Sequence, residues 1–106
     1  MTTFCLIHGS WHGKWCFERL TPYLEAAGHR ALAVELPSDR PGTTCSEYAE
    51  VVAAELGEDD DEVILVGHSF GGLTIPLVAA LRPVRRLVYL AALIPKPGMS
   101  MTEQFE

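Results

Sequence analysis

The chain has 106 residues, 48% of them hydrophobic, and a formal net charge of −6. That length fits one domain with a modest core, the apolar share argues against disorder, and the acidic balance argues against nucleic acid as a partner. Three cysteines, Cys5, Cys16 and Cys45, form an odd set without metal-ligand spacing, so reduced thiols are expected rather than disulfides or a zinc site.

Phe4–Ile7 is a short apolar run, read as a buried strand that stops at His8-Gly9. A loop rich in glycine and histidine follows, from His8 to Gly13. Lys14–Ala27 has roughly helical apolar spacing at Trp15, Leu20, Leu24 and Ala27, with Gly28 as C-cap. Pro22 either starts the regular helix after Thr21 or kinks a longer one. Ala31–Leu36 is a second strand, stopped by Pro37. Thr44 and Glu47 have capping-box spacing and open a helix that aligns Tyr48, Val51, Val52 and Leu56, and Gly57 ends it.

The acidic run Glu58–Glu62 reads as a solvated loop, because its spacing fits no calcium loop. Val63–Val66 is the third strand. Ser69–Leu81 is expected as one helix, apolar nearly all round and so buried, with a kink from Pro76. Arg82, Arg85 and Arg86 read as a solvated loop, and Leu87–Leu93 as the fourth strand. The apolar runs around 73–81 and 87–95 are too short to span a bilayer. Met1-Thr2-Thr3 lacks the basic region of a signal peptide. The expectation is a cytoplasmic protein with no membrane contact, no cofactor and no metal.

The pattern βαβαβαβ predicts an α/β fold: a parallel sheet of about four strands in a three-layer sandwich with about three helices. In such sheets ligands bind beyond the carboxyl ends of the strands, where strand order reverses. If the first and third strands are neighbours, the loops His8–Gly13 and Gly67–Gly72 meet at one crevice.

The second of those loops carries the chemistry. Gly67-His68-Ser69-Phe70-Gly71 has G-x-S-x-G spacing between an apolar strand and an apolar helix. A sharp strand-to-helix turn of this kind lifts a serine hydroxyl out at the end of a sheet, beside the positive end of a helix. A glycine-rich turn with a chance serine is the plainer alternative. His12, His29 and His68 are read as structural, with His29 a surface cap beyond Gly28.

Three stretches together resemble the α/β-hydrolase superfamily: Val66–Gly72, His8–Trp15 and Leu24–His29. The last two look most like the branch that holds plant methyl esterases, hydroxynitrile lyases and their bacterial relatives. The resemblance covers the N-terminal part of that fold, so residues 1–98 are expected to form a partial core and 99–106 a tail or the start of a cap region. It implies a nucleophilic Ser69, an oxyanion hole from the backbone N–H groups of Phe70 and Ser10, an oxyanion loop shaped by His8 and Gly9, and a small-molecule ester as substrate. In the lyases of this branch a threonine replaces Gly9, so Gly9 favours ester hydrolysis.

The family's triad runs Ser, then Asp or Glu, then His, yet all four histidines here precede Ser69. The only later carboxylates are Glu103 and Glu106. The expectation is therefore a fragment of a truncated enzyme, half of a split one, or an inactive binding or scaffold module that keeps the turn as a relic. An exposed sheet edge then invites self-association or a complementing polypeptide.

Overall fold

Four apolar runs become the four strands of one parallel sheet: β1 (Thr2–Ile7), β2 (Arg30–Val34), β3 (Glu62–His68) and β4 (Arg86–Leu90), in the order β2-β1-β3-β4. The computed structural model describes residues 2–9, 13–37, 40, 42–57 and 62–92. Of the acidic run Glu58–Glu62, expected as a loop, Glu62 opens β3, whereas 58–61 and the tail at 99–106 lie outside the described residues. In the centre of the sheet Cys5 stands between Leu32 of β2 and Leu65 of β3. Both central strands are covered on both faces, which explains why they read as continuous apolar runs rather than alternating ones.

Helices cover both sides, as the βαβ pattern requires. On one face Cys5, Ile7, Val34, Val63 and Leu65 pack under Ala49, Val52 and Leu56 of α2 (Cys45–Leu56) and Ile75 and Val78 of α3 (Ile75–Leu81). On the other, Leu6 and Val66 pack with Phe17, Leu20 and Leu24, from a 3₁₀ turn (Lys14–Phe17), the turn after it and α1 (Thr21–Ala26). Among the described residues this second layer is smaller and does not reach across β4. Leu87 and Tyr89 of β4 pack against the α2–α3 core, whereas Val88 and Leu90, in register with Val66 and His68, remain 40% and 46% exposed.

Local chemistry sets the helix ends. The Thr44 hydroxyl accepts a hydrogen bond from the Glu47 N–H at 3.2 Å, and the Glu47 carboxylate accepts from the Thr44 N–H at 3.4 Å. This reciprocal pair satisfies two N–H groups that the helix itself cannot. Beyond α1, Gly28 (φ 89°) turns the chain so that its N–H bonds to the Glu25 carbonyl and the His29 N–H to the Leu24 carbonyl.

Several boundaries differ from the sequence reading. Residues Ser69–Leu81 are two elements rather than one helix: a 3₁₀ segment (Ser69–Leu73) and then α3. Pro76 lies in the first turn of α3, where its missing N–H costs nothing, so it starts a helix instead of kinking one. Leu77 and Leu81 are exposed, so α3 is not buried all round. Pro22 likewise sits in the first turn of α1, with Leu20 rather than Thr21 as cap. β2 ends at Val34 rather than Leu36, because the Leu36 N–H leaves the ladder for His8. β4 starts at Arg86 and ends at Leu90, before Ala91 with its φ of 45°. Arg86 is thus a strand residue, while Arg82 and Arg85 bond to the Gly57 carbonyl and the Glu62 carboxylate. His29 is half-buried, its ring 5.1 Å from Phe4 in an edge-on contact.

Candidate active site at the carboxyl ends of the central strands

The chain steps from β1 outward to β2, returns to β3 beside β1, and continues to β4 on the other side. The reversal of direction therefore falls between β1 and β3, and the loops after both strands meet there. His8-Gly9 leaves β1, and Ser69 leaves β3.

Ser69 has φ 55°. Among the described residues only it and Ala91 are non-glycine residues with positive φ. A left-handed backbone costs a residue with a Cβ about 1–2 kcal/mol, and such strain persists only where the surroundings over-determine it. Here two glycines do so. A Cβ at Gly67 would stand 2.7 Å from the Gly71 carbonyl oxygen and 2.9 Å from the Gly72 nitrogen. A Cβ at Gly71 would overlap the Ile7 carbonyl oxygen and lie 3.1 Å from that of His8. The turn is folded onto itself and onto the end of β1.

The first loop lies directly on this turn. A Cβ at Gly9 would be 2.9 Å from Ser69 Cβ, 3.0 Å from the His68 carbonyl oxygen and 3.2 Å from the Phe70 nitrogen. His8, 1% exposed, fixes Gly9 in place. Its Nε2 accepts the Leu36 N–H at 2.9 Å, so Nδ1 carries the proton and donates to the Gly9 carbonyl at 2.9 Å. Both ring nitrogens are thereby committed, and His8 has none left to take a proton from Ser69. His29 precedes β2 and so stands at the opposite, amino end of the sheet. His68, the last residue of β3, shares a sheet face with Ile64 and Val66. Ser10 and His12 lie outside the described residues.

Sequence reasoning missed Glu35. It follows β2 at the same end of the sheet, and its Oε2 accepts the Lys14 N–H at 2.7 Å. Only its place just past a strand terminus could have singled it out. Trp15, placed by the sequence on the apolar spacing of the first helix, is 59% exposed, although its ring edge lies against Gly13.

The thiols do not compete as nucleophiles. Burial, reinforced by Glu55, pushes Cys5 up to about 12, and burial also raises Cys16 and Cys45. Among the described residues no three His, Cys, Asp or Glu side chains cluster as metal ligands would, and no helix is long and apolar enough to cross a membrane.

Comparison with known proteins gives a consistent result. The profile of the Alpha/beta hydrolase family matches residues 6–105. Methylesterase 1 of Arabidopsis thaliana is 39% identical over 104 residues, which is 87% of this chain and 40% of the relative. The alpha-hydroxynitrile lyase of the same plant is 42% identical over 103 residues, again 87% of this chain and 40% of the relative. The solved structure of an extracellular alpha/beta-hydrolase from a Paenibacillus species superposes with a TM-score of 0.85 at 30% identity, covering 100% of this chain and 47% of that one. The chain thus spans less than half the length of these relatives.

Proposed function

Because the chain belongs to the α/β-hydrolase family, we propose that it carries the nucleophile and oxyanion-hole portion of a serine esterase acting on a small carboxylic ester. The observation that carries this reading is the strained Ser69, held at φ 55° with Gly9 packed against its Cβ and against the Phe70 nitrogen.

In the proposed reaction Ser69 Oγ attacks the ester carbonyl carbon. The carbonyl π electrons move onto oxygen, which the N–H groups of Phe70 and Ser10 hold. Losing one such donor typically costs about 3–4 kcal/mol of transition-state stabilisation. The Ser69 proton passes to a histidine and then to the departing alkoxide as the C–O bond breaks, which leaves an acyl-serine. Water, deprotonated by the same histidine, releases the acid and restores Ser69. That histidine and its carboxylate partner come from polypeptide outside these 106 residues. β4, at the end of the sheet and with Val88 and Leu90 open on one face, is the seat for such a complement or for self-association.

A second reading, an inactive binding or scaffold module, is favoured by the histidines: His8 is committed to Leu36 and Gly9, and His29 stands at the far end of the sheet. The lyase reading is weakened at Gly9, where even one added carbon would crowd Ser69. A fluorophosphonate probe separates the readings. Covalent labelling that Ser69→Ala abolishes supports the esterase. Absence of labelling, both alone and with candidate complementing polypeptides, leaves the binding module. Release of cyanide from a cyanohydrin would point instead to the lyase.

A further inference from the structure

We propose that Glu35 is a positioning residue that anchors the far end, Gly13-Lys14, of the loop that begins with Gly9 on Ser69. This rests on the esterase reading only for its catalytic consequence. The loop leaves β1 at His8 and rejoins regular structure at Lys14, and both ends are tied to the same dipeptide just beyond β2. At the start, the Leu36 N–H donates to His8 Nε2 at 2.9 Å. At the finish, the Lys14 N–H donates to Glu35 Oε2 at 2.7 Å. The other Glu35 oxygen lies 2.7 Å from where a Cβ of Gly13 would be, with the Trp15 ring 2.9 Å from that point on its own side. Gly13 thus lies against a carboxylate and an indole, and a Cβ there would have to displace one of these two exposed side chains.

The two ties do different work. His8 is buried and sets Gly9 against Ser69. Glu35 is exposed and holds Gly13-Lys14, where the loop rejoins regular structure. Ser10, the proposed oxyanion donor, stands between these two anchors in the sequence, and such a donor must keep its place to within a few tenths of an ångström, because hydrogen-bond strength falls steeply with misalignment. A charged acceptor on a backbone N–H suits this role, since it is about twice as strong as a neutral one. The side chain must also be long enough to reach across from the next strand, which makes its length testable.

The experiment compares wild type with Glu35→Gln and Glu35→Asp in two readouts. Hydrogen exchange of the peptide spanning residues 9–17 reports the clamp itself, and the rate of Ser69 labelling by a fluorophosphonate reports its consequence. Exchange should accelerate about tenfold in Glu35→Asp, whose carboxylate falls short of the Lys14 N–H, while Glu35→Gln, which keeps the length but only a neutral acceptor, falls between it and wild type, and the melting temperature of both stays close to wild type. Labelling should slow by a similar factor and in the same order. Unchanged exchange in Glu35→Asp overturns the clamp. Faster exchange with unchanged labelling overturns the positioning role. If wild type is not labelled, the esterase reading fails while exchange still decides the clamp.

Discussion

Gly71→Ala is the sharpest test of how the serine turn is built. Helix propensity alone predicts a gain of about 1 kcal/mol for alanine over glycine in a helical segment. The tertiary structure predicts the opposite. The added Cβ would overlap the Ile7 carbonyl oxygen and sit 3.2 Å from the Ile7 carbonyl carbon and 3.1 Å from the His8 oxygen. All three are backbone atoms at the end of β1, a strand paired on both sides, so no side chain can swing away to relieve the clash. Overpacking of this kind costs about 1–3 kcal/mol. With nothing free to yield, the upper end applies, and the net loss should be about 2 kcal/mol. In a domain of this size that lowers the melting temperature by roughly 10 °C. Gly28→Ala is the control: its φ of 89° strains an alanine by about 1 kcal/mol, yet nothing lies within 4 Å of the new carbon. Urea denaturation followed by far-ultraviolet circular dichroism measures all three proteins. If Gly71→Ala proves as stable as wild type or more stable, the contact between the serine turn and β1 is wrong.

Alkaline pH should expose the buried Cys5. Its thiol is held at about 12, against an ordinary value of 9.0, by burial first and Glu55 second. Below pH 9 both folded and unfolded states keep the proton. Above it the unfolded state ionises while the folded state does not, so stability falls by about 1.4 kcal/mol per pH unit until the folded value is reached. Between pH 8 and 10 wild type should therefore lose about 1.4 kcal/mol more than Cys5→Ala in urea titrations, and equal losses would remove the argument. At the start of α2, Thr44→Ala should cost about 1 kcal/mol and Thr44→Ser much less, because a hydroxyl at this position satisfies the Glu47 N–H. Indistinguishable denaturation midpoints for the three proteins would show that the capping box contributes nothing.

Much of the fold was legible in one dimension because the signals are local. The four apolar runs, the Thr44–Glu47 capping box and the glycines at 28 and 57 each act within a few residues, and the structure puts strands, a helix start and helix ends there. The misread stretch, Ser69–Leu81, is the one where local and tertiary demands conflict. Its apolar spacing favours one helix. The turn must instead hug β1 through Gly71 while Pro76 offers a fresh helix start, and the segment divides at Thr74. Glu35 escaped notice for the complementary reason, since its significance is a hydrogen bond to a residue 21 positions earlier, which no periodicity records.

The sequence by itself determined the class of fold and the place of the candidate nucleophile, because alternating strand and helix signals and G-x-S-x-G spacing depend on backbone geometry over a few residues. Only the tertiary structure decided that β1 and β3 are neighbours, so that Gly9 comes to rest on Ser69. Only it showed that His8 spends both ring nitrogens on holding that loop. The reason is physical: strand order and hydrogen-bond partners are set by which distant surfaces bury each other, and that choice is made by the whole chain at once.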